Sequence, residues 1–367
     1  MDNFSWIPFF QIVGTVLVSC FIVLWTIPTV NHIARAKGLL NAPGERTSHR
    51  YKTPNLAGIS VFLGACIASL LFIQSDLYTF RAVYLASIII FFTGLKDDIL
   101  LLSPWKKLLA QFAVAVLIVT ADLRFTHFFG LFGVEGFGDI TSFVITVIFI
   151  VGIINAVNLI DGIDGLLASI GTLILGIFGL FFFVNGMYSW AIYCAGMVGA
   201  LVAFFPFNVF GLRNKTFMGD SGSLLLGLSV AVTTIVFWET NANKDLPLTF
   251  VGAPAIALAI IIVPVFDITR VFAYRILHGM SPFSADRNHM HHRIVDIGFS
   301  HLETSIIVAA FNVLVIAVAV VLNLFLGPLW IIGAVCAVTL LAVFMVNKTY
   351  KRKNAKNGGG NRLSFSS

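Results

Sequence analysis

The chain has 367 residues, 58% of them hydrophobic and 11% charged, with a net charge of +6 and a mean hydropathy of +0.96. A soluble domain carries about 25% charged residues, so a water-covered globule is excluded, and the two domains that length alone would suggest give way to one helical bundle in a bilayer. The four cysteines, Cys20, Cys66, Cys194 and Cys336, sit in apolar runs with no CxxC or zinc-type spacing, and read as small apolar filler.

Eleven apolar runs approach the length needed to cross a hydrocarbon core of about 30 Å. They are residues 8–30, 56–74, 82–95, 108–121, 142–157, 166–184, 188–207, 223–238, 250–266, 305–326 and 330–346. None alternates like a barrel strand, so the predicted fold is all-α, a polytopic integral membrane bundle of eleven transmembrane helices. Twenty of the 23 Lys and Arg fall in segments on one side; Arg81, Arg124 and Lys244 fall on the other. That asymmetry places the C-terminus in the cytoplasm and, with eleven crossings, the N-terminus outside. The start of the chain also lacks the basic region of a cleaved signal. Residues 1–346 form the expected membrane domain. Residues 347–367, rich in Lys and Arg and then in Gly, Asn and Ser, are expected to be a disordered cytoplasmic tail held near anionic lipid.

The polar residues follow in chain order. Arg46, His49, Arg50 and Lys52 form a basic first loop, read either as a solvated positive-inside loop or as an anion contact. Asp97 and Asp98 close the third run, where adjacent carboxylates oppose the helix dipole. A compensating cation would explain them, as would a solvated pair with Lys96. Asn155, Asn158, Asp161 and Asp164 recur every third residue, the spacing of neighbours on one helix face. Two Asp-Gly turns would explain the aspartates of this stripe but not the asparagines. Phe217-Met-Gly-Asp220-Ser-Gly-Ser opens the eighth run, as a plain cap or as an anion site beside a third carboxylate. Asp267 and Arg270 make either a helix-end ion pair or a phosphate contact. His289, His291 and His292 sit in the longest cytoplasmic loop, where zinc and phosphate or sugar binding are the alternatives.

These acids and imidazoles gather on the cytoplasmic face, whereas a transporter places ionisable groups near the bilayer centre. The pattern points to a metal-dependent phosphoryl-type transfer at a membrane surface, with an anionic cytosolic substrate and a lipid.

The motifs Lys96-Asp97-Asp98, Asn155-x-x-Asn158-x-x-Asp161-Gly-Ile-Asp164-Gly165, Phe217-Met-Gly-Asp220-Ser-Gly-Ser and Asp286-Arg287-x-His289-x-His291-His292, in that order, resemble those of the polyprenyl-phosphate N-acetylhexosamine-1-phosphate transferases. The Ser281–Arg293 loop is most similar to the branch that uses UDP-N-acetylglucosamine; the Pro-Ile-His-His-His run of the muramoyl-pentapeptide branch is absent. Two positions depart from the family pattern: Leu101 stands where many members have a third acid, and Leu56-Ala57-Gly58 where a Gly-Gly pair is common. The resemblance implies a Mg²⁺-dependent enzyme (Mn²⁺ as a substitute) of the bacterial inner membrane. It would pass N-acetylglucosamine 1-phosphate from UDP-N-acetylglucosamine to undecaprenyl phosphate and release UMP, with another UDP-N-acetylhexosamine or the muramoyl-pentapeptide donor as alternatives. Asp97, Asp98, Asp161 and Asp164 would be catalytic, with Mg²⁺ held by Asp220 and one of Asp97 and Asp98 and the proton taken by the other. Lys52, Asn155, Asn158, Phe217, Arg270, His289, His291 and His292 would bind substrate, with Phe217 against the uracil. No nucleic-acid partner is expected, and a homodimer is compatible with the fold.

Overall fold

The computed structural model describes residues 6–40, 53–211, 214–277, 279 and 289–360. Ten of the eleven apolar runs coincide with single helices, and the remaining one with a bent pair. The first eight are α1 (Ile7–Ala36), α2 (Ala57–Phe72), α3 (Leu77–Leu100), α4 (Pro104–Thr120), α5 (Asp139–Leu159), α6 (Leu166–Val184), α7 (Tyr188–Val209) and α8 (Gly219–Thr240). The ninth run is split into α9 (Ala253–Ile260) and α10 (Ile262–Leu277), which meet at 79°. The short α11 (Met290–Ile297) precedes α12 (His301–Leu322) and α13 (Pro328–Gly360). Among the described residues eight helices are long and apolar enough to cross a membrane, nine if the bent pair is one crossing; α2 and α4, with 16 and 17 residues, are shorter. The chain is therefore a polytopic, mainly helical membrane protein.

One expectation needs correction. The fold is not wholly helical, because β1 (His127–Leu131) pairs antiparallel with β2 (Val134–Gly136). Glu239 at the end of α8 accepts from Thr126 N (2.8 Å) and His127 Nδ1 (2.9 Å), and Trp238 Nε1 donates to His127 O (2.8 Å). These side chains tie the hairpin down from far along the chain, so local sequence does not announce it. At the other end of the described chain, α13 is helix as far as Gly360. No proline interrupts residues 347–360, Lys and Arg are good helix formers, and part of the extension packs on α11.

α8 is the axis of the bundle. Its seventeen consecutive residues Ser221–Phe237 are all buried, as expected of a helix apolar on every side. α2, α3, α5, α6 and α9 surround it. α1, α12 and α13 instead show large apolar side chains outward, among them Trp25, Leu314 and Phe344. Lipid is as apolar as these side chains, so helix association here rests on close packing and interhelical hydrogen bonds. Ser19 Oγ on α1 donating to Gly196 O on α7 (2.7 Å) is one such bond.

Close approach of α3 to the start of α8 depends on Gly94. A β-carbon there would lie 2.5 Å from the Asp220 carbonyl carbon. The segment before α2 fixes the same place from the other side: Phe217 N donates to Pro54 O (2.9 Å) and Gly58 N to Met218 O (2.9 Å).

Candidate active site

The last turn of α3, the first turn of α8 and the end of α5 converge. Asp98 Oδ1 accepts from Asp220 N (2.8 Å) and Oδ2 from Ser221 N (3.0 Å), with Asn55 Nδ2 at 3.3 Å from Oδ1. A carboxylate is unfavourable at the C-terminus of its own helix, but this one faces the N-terminus of another, where its charge is favoured. Asp97 Oδ2 meets Lys107 Nζ at 3.2 Å, and the same ammonium bonds Asp220 Oδ2. Two carboxylates thus share one cation supplied by α4. Asn158 Nδ2 donates to Asp220 Oδ1 (3.0 Å) and Ser223 Oγ (2.7 Å), holding the aspartate from behind.

The three-residue stripe is helical only in part. α5 ends at Leu159, so Asn155 and Asn158 lie on the helix while Asp161 and Asp164 lie in the turn before α6. Asn155 exchanges hydrogen bonds with the buried Gln111 on α4 (2.6 and 3.3 Å). Asp161 is the titratable group of the turn: burial first, then the charges of Asp220, Asp98 and Asp164, push its carboxyl up to about 8. Asp164 belongs to a second cluster. Its Oδ2 meets Lys215 Nζ (2.7 Å) and His301 Nδ1 (3.2 Å), and Ser305 Oγ donates to its carbonyl (3.0 Å).

The histidines arrive from α10 and α11. Asp267 Oδ2 bonds His289 Nδ1 (2.7 Å), Oδ1 accepts from Met290 N (2.9 Å), and Arg270 Nη2 stands 3.6 Å from Oδ1. Asp267 therefore anchors the start of α11, and Arg270 is its ion-pair partner. His291 lies over the Asp161–Gly162 turn: a β-carbon on Gly162 would come within 2.5 Å of His291 Nε2 and 3.3 Å of His292 Nε2. His291 is 3% exposed, and its Nε2 has no hydrogen-bond partner among the described residues. Burial, reinforced by His292, His289 and Arg270 against the opposing Asp267, pushes its imidazole down to about 3, so the ring is neutral. A buried neutral ring with one nitrogen unused is suited to binding a ligand, because leaving that nitrogen unpaired is costly. An apolar cavity of about 140 Å³ opens beside it, lined by Ile160, Phe266, Ile294, Phe311 and Val343, with Asp267 and His291 at its polar end.

The structure gathers Asp97, Asp98, Asp220, Asn158 and Asp161, and brings His289, His291, His292 and Arg270 to their side. Phe217 is half-buried in the segment that pairs with Pro54. Lys52, Asp286 and Arg287 lie outside the described residues. Leu101, at the position of that departure, is 88% exposed. Sequence reading missed Lys107, Gln111, Asn55, Lys215 and His301. Lys107, just before the apolar run 108–121, reads as an ordinary positive-inside charge, and the others carry no signal either. Among the described residues no three acidic, imidazole or thiol groups close on a point as a finished metal cage. Asp97 and Asp220 with a cation between them nevertheless match Mg²⁺, which ordinarily takes one or two carboxylates and completes its shell with water and substrate phosphate.

The family model described as glycosyl transferase family 4 matches residues 80–238. The chain is 30% identical to the undecaprenyl-phosphate alpha-N-acetylglucosaminyl 1-phosphate transferase of Escherichia coli (strain K12), over 87% of this chain and 86% of that protein. It is 31% identical to the Yersinia pestis protein of the same name, over 86% and 85%. It is 30% identical to the probable undecaprenyl-phosphate N-acetylglucosaminyl 1-phosphate transferase of Bacillus subtilis (strain 168), over 91% and 90%. The chain belongs to the polyprenyl-phosphate N-acetylhexosamine-1-phosphate transferase family.

Proposed function

We propose that the protein transfers N-acetylglucosamine 1-phosphate from UDP-N-acetylglucosamine to undecaprenyl phosphate on the cytoplasmic face of the bacterial inner membrane, releasing UMP. A phosphate oxygen of the lipid bonds to the phosphorus that carries the sugar, and the bond from that phosphorus to the UMP oxygen breaks. The names of the relatives support the donor and acceptor. The Lys and Arg asymmetry supports eleven crossings with the C-terminus inside. The observation that carries the reading is the cation held between Asp97 and Asp220.

Positioning and charge neutralisation supply most of the catalysis in phosphoryl transfer. In this reading Asp97 and Asp220, which now share the Lys107 ammonium, would hold Mg²⁺, and the bound ion would neutralise charge on the diphosphate. Asp98 orients the start of α8. Both oxygens of Asp98 are occupied by the first amides of α8, so in this reading it positions that helix, and taking the proton falls to another carboxylate. Asp161, raised to about 8, has the basicity for that task near neutral pH. His291 and His292 hold phosphate or sugar oxygens, Asn158 keeps Asp220 aimed, and Phe217 borders the nucleotide. The apolar cavity beside His291 takes the phosphate-proximal end of the lipid chain.

The test is UMP release by purified protein in detergent with undecaprenyl phosphate, Mg²⁺ and UDP-N-acetylglucosamine, against EDTA and no-lipid controls. Release that needs both lipid and metal is expected. Release only with another UDP-N-acetylhexosamine or with the muramoyl-pentapeptide donor would change the substrate and keep the chemistry. Silence with every donor, from folded protein, would overturn the reading.

A further inference from the structure

We propose that the extension of α13 beyond its apolar part is a strut for α11, with Asn347, Tyr350 and Lys353 as positioning residues that hold His291 and His292 over the Asp161–Gly162 turn. The kinetic part of this proposal rests on the transferase reading above.

α11 has only eight residues, and isolated helices shorter than about 12–15 residues are marginal in water. Something outside it must hold it. Its N-terminal end is fixed by Asp267, through Met290 N and His289 Nδ1. Its other end is met by α13. Lys353 Nζ donates to Ile297 O at 2.6 Å, on the last carbonyl of α11, where a cation is favoured by the helix dipole. Arg293, in the middle of α11, bonds Asn347 Oδ1 and lies over the Tyr350 ring at 5.8 Å. Arg–aromatic contacts of this kind hold orientation as well as charge.

Burial along α13 marks the same face. Val343, Val346, Asn347, Tyr350 and Lys353 are partly covered, while Lys348, Thr349, Lys351 and Arg352 are exposed. Spacings of three and four residues put the covered set along one side of a helix. Only one of the basic residues Lys351, Arg352 and Lys353 is therefore committed to α11. The histidines are thus clamped at both ends of their helix, by α10 at one and by α13 at the other.

The experiment compares full-length wild type, Lys353→Ala, Lys353→Arg, Asn347→Ala and Lys351→Ala by amide hydrogen exchange and by kinetics. Lys351→Ala removes the same charge from an exposed position, and so separates the specific contact from general attraction to anionic lipid. In Lys353→Ala, exchange at residues 290–297 should rise about tenfold while the buried amides of α8 stay unchanged. KM for the UDP-sugar should rise about tenfold with kcat within about twofold, the pattern of lost ground-state binding. Asn347→Ala should give the same pattern more weakly, Lys353→Arg should restore it, and Lys351→Ala should match wild type. Unchanged exchange at 290–297 in both alanine variants, or an equal effect from Lys351→Ala, overturns the strut. If the wild type turns over no donor, the transferase reading fails while the exchange data still decide the strut. Should Lys353→Ala not fold, Asn347→Ala carries the test.

Discussion

The two halves of the site are held in different ways. The carboxylate half sits at the end of α8, the most buried helix, where Gly94 lets backbones touch and Asp98 bonds two successive amides. The histidine half rides on an eight-residue helix fastened by side chains at its two ends. The first is built into the bundle; the second is clipped to it. Chemistry that must be aligned within fractions of an ångström belongs on the rigid half. Substrate has to enter and leave, so the contacts that grip it belong on the half with the lower local stability.

The largest break in this comparison should come from the rigid half. Asp220→Ala should lower kcat by about 10³-fold or more, as expected for loss of a fixed electrostatic group, with the protein still folded in the membrane. Metal-dependent UMP release at the wild-type rate would remove Asp220 from the metal site. Asp161→Asn should cost about 10²-fold in kcat, the lower range for a proton acceptor. It should also alter stability in a defined direction. The folded carboxyl titrates near 8 and the unfolded one near 3.8, so the folded state binds more protons between those values. The substrate-free wild type therefore loses stability as pH rises through that window. The asparagine variant should lack that part of the loss and melt a few degrees higher at pH 8. A thermal scan at pH 5 and pH 8 checks the sign.

Gly94→Ala comes next. The added methyl meets backbone rather than a movable side chain, so destabilisation of about 1–3 kcal/mol is expected, together with a fall in kcat. On the clipped half, His291→Ala should raise KM for the UDP-sugar about tenfold and leave kcat within a few-fold. If His291→Ala lowered kcat as far as Asp220→Ala does, the division of labour between the halves would collapse.

Much of the rigid half was legible in the sequence because its residues are unusual where they stand. An acid pair at a helix C-terminus and a small-residue run opening a helix both demand an explanation, and each turned out to answer the other across space. The asparagines of α5 were equally visible through their spacing. Lys107 was not, because a lysine beside an apolar run on the cytoplasmic side already has an ordinary explanation. Asp164 was legible as an acid but not in its allegiance, since Lys215 and His301 come from connections 51 and 137 residues away. The contact between α13 and α11 was hidden for a related reason. A basic, glycine-ending tail resembles disorder by composition, and only tertiary packing reveals which of its lysines has a partner.

The shared ammonium has a consequence for the enzyme at rest. Opposed carboxylates without a counter-ion would repel and open the junction between α3 and α8; a lysine on a four-carbon tether prevents this. If Asp97 and Asp220 take a divalent ion as proposed, that ion would compete with the Lys107 ammonium for the same two carboxylates. Apparent metal affinity is then the intrinsic value discounted by the fraction of time the tether is swung clear.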